Sequence, residues 1–247
     1  MNITDLFGTV SENAVFVLEF LGIVAAVFLI AYIFEKIGKM RDAKADKKPS
    51  RILSTKTIVV IGMFSAISTV LMIFDFPVVF APSFYKFDLS ELPALVAGFA
   101  FGPVAGVMVE FVKIVLKVLF KGTSTAFVGE LANFVIGSSF IVPATVIYRI
   151  NKSKKSAVVS CVVATIVITI VGSLFNALYL LPAFCKLYGM PIEAIVAMGT
   201  KVNPAITSVD SLVLLSVAPL NMLKGLIVSV ITLLIYKHIS RIIKTSH

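Results

Sequence analysis

Apolar residues run almost unbroken through seven stretches of the chain: 14–35, 57–74, 92–101, 103–120, 126–148, 157–181 and 219–236. A hydrocarbon layer of about 30 Å needs roughly 20 apolar residues per helix. Lipid offers no partner to a free backbone N–H or C=O, so each segment must satisfy its own as a helix. The pattern predicts an all-α integral membrane protein with seven spanning helices. The stretch 92–101 is short, which predicts an earlier start near Leu89, with Asp88 or Ser90 as a cap before the Leu92–Pro93 step. The "FGPV" at 101–104 is a Gly-Pro break that folds 89–101 and 104–120 into a tight helical hairpin.

The polar intervals are unequal. The linker 38–56 is polar and rich in charge and forms the natural boundary. It separates an N-terminal unit, residues 1–50, from a six-helix body, residues 51–247. The stretch 182–218 is long and mixed, with Pro182, Pro191 and Pro204, and its "SLVLLSVA" reads as a short interfacial helix. Connections of that length are commonly functional or disordered. Fifteen of the 22 lysines and arginines lie in three intervals, 36–56, 149–155 and the tail beyond residue 236. With seven helices all three fall on one side, which places the C-terminus in the cytoplasm and the N-terminus outside a cell membrane. Acidic residues precede the first apolar run, and the run is long, so it reads as a retained helix rather than a cleaved signal.

Composition agrees. The chain is 59% hydrophobic and 14% charged, outside the usual range for soluble domains. Its net charge of +9 sits in loops between apolar runs, without the aromatic-interleaved basic face of a nucleic-acid binder. Cys161 and Cys185, one in a span and one in a loop, have no spacing that suits a metal, and the two histidines lie near the C-terminus. There is no phosphate-binding G-x-x-x-x-G-K-[ST] loop and no nucleophile–base set, so nothing supports an enzyme or a bound cofactor.

What remains is polar chemistry inside the spans, which is costly in lipid and marks a site by default. At 1.5 Å per residue, Asn133 lies about 12 Å in from its helix start, with Glu130 one turn above it. Asn176 lies about 8 Å below the end of its own span, and Lys224 about 8 Å below Pro219, with Asn221 one turn above. Lys113 falls at a similar depth, beside Glu110 at i,i+3. These groups predict one outer-leaflet layer lining a cavity. Taken singly, each asparagine is equally a hydrogen bond between packed helices. Lys117 and Lys121 read as snorkelling side chains, Glu110–Lys113 as a structural ion pair, and Asp75, Asp88 and Glu193 as solvated loop residues. Amides suit hydroxyls or a heterocycle edge. Phe84, Tyr85 and Phe87, in the aromatic loop 75–88, suit a flat ring or an interfacial belt. In the second run, Gly62 and Ala66 form a small-x-x-x-small pair that admits a close helix, inside the bundle or beyond it.

Three segments together, "FYKFDLSELPALVAGFAFGPVAGVMVEFVK", "KGTSTAFVGELANFVIG" and "APLNMLKGLIVS", resemble the riboflavin-specific substrate-binding (S) component of energy-coupling factor (ECF) vitamin transporters, the RibU family. The resemblance covers residues 52–244. It implies a six-helix S-component body, here with an extra N-terminal transmembrane helix. That body captures riboflavin from outside and hands it to a transmembrane coupling protein and two cytoplasmic ATPase subunits. Carried onto matching positions, it puts Asn133, Asn221 and Lys224 in the pocket, and the loop 75–88 over it. It also turns Gly62 and Ala66 toward the coupling protein, although Gly62 stands where the family has alanine. The residues leave open a different ligand (a flavin nucleotide or another heterocycle), a stand-alone secondary transporter using Glu110–Lys113 or Glu130, and a membrane scaffold without a ligand.

Overall fold

The structure is a computed structural model. It describes the backbone of residues 14–44 and 52–245, and the side chains of 18–42 and 52–236. Helix α1 (Ala14–Lys44) precedes α2 (Thr55–Ile73), then a two-residue antiparallel pairing of β1 (Phe76–Pro77) with β2 (Lys86–Phe87). Then come α3 (Glu91–Phe101), α4 (Pro103–Lys121), α5 (Val128–Ile150), α6 (Lys154–Phe175), α7 (Leu181–Tyr188), α8 (Ile192–Thr200), α9 (Val209–Leu212) and α10 (Ala218–Thr245). A π-helical turn, Asn176–Leu180, joins α6 to α7, and a second, Val213–Val217, joins α9 to α10, so each pair is one continuous rod.

Five helical stretches are long and apolar enough to cross a membrane: Leu18–Asp42, Thr55–Ile73, Val128–Ile150, Lys154–Tyr188 and Val209–Tyr236. Helix α3 is apolar but shorter. Helix α4 carries Glu110, Lys113, Lys117 and Lys121 on an otherwise apolar sequence. The hairpin of α3 and α4 turns on Gly102, at φ 105°, with Pro103 as the first residue of α4. A left-handed backbone there needs glycine, and Pro103 supplies a preset helical φ. A Cβ on Gly102 would also lie 2.2 Å from the Glu35 carboxylate, so the corner is packed against α1 as well as bent.

Three apolar clusters hold the bundle. One joins α3, α4, α5, α6 and α10 around Phe99, Phe140 and Tyr148. A second gathers the loop 75–88 with α7, α8 and the start of α10. The third seats α1, where Phe28 lies edge-on to Phe111 at 5.7 Å and beside Phe134 at 6.1 Å. Arg149 Nη1 reaches Glu35 at 2.6 Å and Nη2 reaches Asp42 at 3.0 Å, tying α1 to the end of α5.

Several boundaries differ from those expected. Helix α1 continues to Lys44, so much of the basic linker is helical; residues 45–51 lie outside the described set. The interval 182–218 is mostly helix. The "SLVLLSVA" segment opens the last rod rather than forming a separate interfacial helix, and Cys185 lies in α7, not in a loop. Prolines misled the reading at both places. Pro182 and Pro219 each sit just after a π-helical turn, whose wider spacing lets the rod continue past a residue that has no N–H. The depths shift accordingly: Lys224 is about 22 Å along its rod from Val209, and Asn176 about 18 Å from Tyr188.

Candidate functional site: a cavity between five elements

A cavity of about 530 Å³ opens at the end of the bundle formed by the loop 75–88, the start of α5 and the end of the α6–α7 rod. That size lies within the range of small-molecule sites. Asn133, Asn176, Asn221, Lys224, Glu130, Phe84 and Tyr85 all line it. The structure thus brings seven of the eight expected pocket residues to one void. Phe87 is the exception. Its strand position pairs it with Phe76, its ring lies 5.2 Å from that of Phe76, and it is buried in the apolar cluster behind the loop.

The seven are not chemically equivalent. Asn176 is fully committed: its amide donates to the Gly172 carbonyl at 2.7 Å, and its Oδ1 accepts from the Tyr85 hydroxyl at 3.0 Å. Glu130 is also committed, its two oxygens held by Lys117, Thr123 and Thr125. Lys117 therefore turns inward to Glu130 instead of snorkelling. The same threonines brace the turn before α5, where Ala126 and Phe127 adopt φ of 43° and 70°. Thr123 Oγ1 accepts from the N–H groups of Thr125 and Phe127, and Thr125 Oγ1 from that of Gly129. Strained backbone of this kind persists where its surroundings over-determine it.

Asn133 lines the void and donates to the Gly129 carbonyl at 3.0 Å, and its Oδ1 has no partner among the described residues. Asn221 is buried, lines the void and has no hydrogen-bond partner among the described residues. Asn133 Oδ1 and the whole Asn221 amide are thus the amide groups of the wall left without a partner among the described residues. The position of Asn221 depends on Gly172: a Cβ there would lie 2.5 Å from Asn221 Nδ2. Gly172→Ala is expected to turn that amide away and weaken ligand binding by about 1–1.5 kcal/mol, roughly five- to tenfold, with little change in thermal stability. Titration of the purified variant checks this; an unchanged affinity would remove Asn221 from the site.

Charge under the cavity is denser than the sequence suggests. Lys224 Nζ lies 3.2 Å from Asp88 Oδ2 and 2.8 Å from Glu91 Oε1. Lys113 Nζ lies 3.3 Å from the same Glu91 oxygen, 2.8 Å from Ser90 Oγ and 2.7 Å from Glu110 Oε2. The approach to Glu110 is off the hydrogen-bonding direction, so it is a charge contact. Asp88 is thus buried, not solvated, and its Oδ1 accepts from the Ser90 N–H at 2.8 Å at the entry to α3. Burial alone would push the Asp88 carboxyl up, but the ammonium groups of Lys224 and Lys113 hold it below its ordinary range. Asp75, also expected to be solvated, pairs with Lys86 at 3.1 Å; Glu193 is exposed as expected. The roles of Asp88, Glu91 and Lys117 escaped the sequence reading because their partners lie on other elements. Asp88 and Lys224 are 136 positions apart.

Gly62 and Ala66 lie on the outward face of α2. Both are exposed, and a Cβ on Gly62 would meet nothing within 4 Å. The small pair is therefore not used in packing this chain against itself.

The family model for the substrate-specific component of ECF transporters matches residues 56–236. The "Riboflavin transporter RibU" of Staphylococcus aureus (strain TCH60) is 38% identical over 190 residues, 76% of this chain and 93% of that protein. The "Riboflavin transporter FmnP" of Bacillus subtilis (strain 168) is 33% identical over 74% of this chain and 92% of its own length. A solved structure of the S component of a bacterial ECF transporter superposes with a TM-score of 0.59 at 37% identity, covering 76% of this chain and 98% of that one. The uncovered part is close in size to the stretch of chain before α2. The family match covers the helical body from α2 onward, and the chain belongs to the substrate-specific (S) components of ECF transporters.

Proposed function

We propose that this S component binds riboflavin in the cavity above α3 and presents it for import. The observation that carries the reading is the chemistry of the wall. Asn221, with neither end bonded, and Asn133, with its oxygen unpaired, line a void edged by Phe84 and Tyr85, which matches a flat heterocycle with a hydroxylated chain. The names of the two relatives support the same ligand. Lys224, Glu130 and Asn176 shape and hold the wall more than they bind; Lys224 keeps its ammonium at the cavity floor.

Charge favours riboflavin over a flavin nucleotide. The three lysines that line the cavity each have a carboxylate partner: Lys86 with Asp75, Lys117 with Glu130, and Lys224 with Asp88 and Glu91. A phosphate would meet no spare cation there and would face three acids instead. The detergent-purified protein is expected to carry a flavin absorption band, and added riboflavin to lose its fluorescence on binding. A colourless preparation that leaves riboflavin fluorescence unchanged would end this reading and favour the scaffold alternative.

Import by this route needs a transmembrane coupling protein and two cytoplasmic ATPases, with Gly62 and Ala66 as the contact on α2. The bias of lysine and arginine supports an outside N-terminus and a cytoplasmic C-terminus. Glu110 and Glu130 are held in internal ion pairs, which argues against their use as proton carriers in a secondary transporter. Uptake that persists without the ATPases, driven by a proton gradient, would reverse that argument.

A further inference from the structure

The five ionisable groups below the cavity alternate in sign along one path: Glu110, Lys113, Glu91, Lys224, Asp88. The path starts on α4, crosses to the first turn of α3, passes to α10, and ends at the last residue of the loop that covers the cavity. Glu91 is its centre, because a single oxygen, Oε1, faces both ammonium groups. Its other oxygen and Glu110 Oε1 are buried without a hydrogen-bond partner. Neither Glu91, Lys113 nor Glu110 lines the cavity. A buried charge set of this kind is expensive to assemble and is weak evidence for stability alone.

The loop 75–88 has other ties to the helices behind it. Ser216 Oγ donates to the Phe80 carbonyl at 3.0 Å, and Tyr85 donates to Asn176. Both are neutral and both end on the π-helical turns. Two ties are charged: Asp75 to Lys121 at 3.6 Å, partly exposed at the first residue of the loop, and Asp88 to Lys224, buried at its last residue. The direction of the buried one is set by where Lys224 is held.

We propose that Glu91 is a positioning residue: supported from behind by Lys113 and Glu110, it holds the Lys224 ammonium at the point where Asp88 can reach it, and so seats the loop over the cavity. Without the Glu91 charge, Lys224 follows Asp88 rather than fixing it, and the loop loses its register. Glu91 and Lys113 then influence ligand affinity while touching no ligand. The affinity part of this inference rests on riboflavin as the ligand; the seating of the loop does not.

Two measurements separate these. Val79, 94% exposed in the middle of the loop, takes a spin label as Val79→Cys, with Cys185→Ser removing the accessible native thiol and Cys161 left buried. In ligand-free protein, Glu91→Gln is expected to raise the mobility of the label, as Lys224→Met does. The double variant is expected to match Lys224→Met alone. In riboflavin titrations, Glu91→Gln is expected to weaken binding about tenfold in the native background and less than twofold in the Lys224→Met background. A merely structural Glu91 would cost the same factor in both backgrounds, and that result, or an unchanged label in Glu91→Gln, overturns the proposal. If Glu91→Gln does not fold, Glu91→Asp keeps the charge but withdraws it by one methylene. Its label must then be more mobile than in the native protein, and an identical spectrum overturns the proposal. Wild-type protein that fails to bind riboflavin removes the proposed function, while the label still decides the seating of the loop.

Discussion

Gly62→Leu is expected to abolish uptake of the vitamin in cells that carry the partner subunits, while riboflavin affinity of the purified variant stays at the native value. The separation follows from where α2 puts its side chains. Its inner face buries Ile61, Ser65, Ser68, Thr69 and Met72 against the hairpin of α3 and α4. Gly62 and Ala66 fall on the opposite face with Val59, Met63 and Val70, all exposed. A leucine at 62 enters open space, so the fold and the cavity are untouched. A helix that needs close approach at a small-x-x-x-small pair is held off by the added side chain. Uptake at the native rate would show that this face is not the contact.

Lys224→Met is the second large effect, and it acts on the fold and the site together. Its ammonium neutralises Asp88 and shares Glu91 with Lys113. Removing one partner of a buried ion pair costs about 3–5 kcal/mol, because the other charge stays buried and uncompensated. The thermal midpoint in detergent is expected to fall by that measure, and riboflavin affinity by roughly ten- to a hundred-fold as the loop loses its tie. Adding Asp88→Asn removes one of the stranded charges and is expected to recover part of the midpoint but not the affinity. A single variant with a native midpoint would mean that the acids do not depend on this lysine.

The same residues show how much was readable beforehand. Long apolar runs specify spanning helices because lipid permits little else, and the Gly-Pro corner at 102–103 was legible because its backbone needs those two residue types. Asn133, Asn176, Asn221 and Lys224 stood out because polarity in a span is costly enough to require a reason. The sequence could not tell which of these groups are already satisfied. Asn176 and Asn221 look alike on paper, yet one is bonded at both ends and the other at neither. Lys224, the partner of Asp88, and Lys117, the partner of Glu130, come from other helices, so no local spacing encodes them. Phe87 was placed in the pocket on ring chemistry alone, but a strand turns neighbouring side chains to opposite sides, and its ring faces the core.

The wide turn at Asn176–Leu180 has one more consequence. Asn176, Leu180, Phe184 and Tyr188 all look into the cavity, at a spacing of four residues. In an unbroken α-helix such a stripe would creep around the rod by roughly 40° at each step, about 120° from first to last. The extra residue in the wide turn takes back most of that rotation and keeps the stripe in line. The wall is therefore tuned by residue count as much as by residue identity. Many side chains along this segment are open to exchange, but loss of a single peptide unit between 176 and 180 would swing the whole of α7 away from the void.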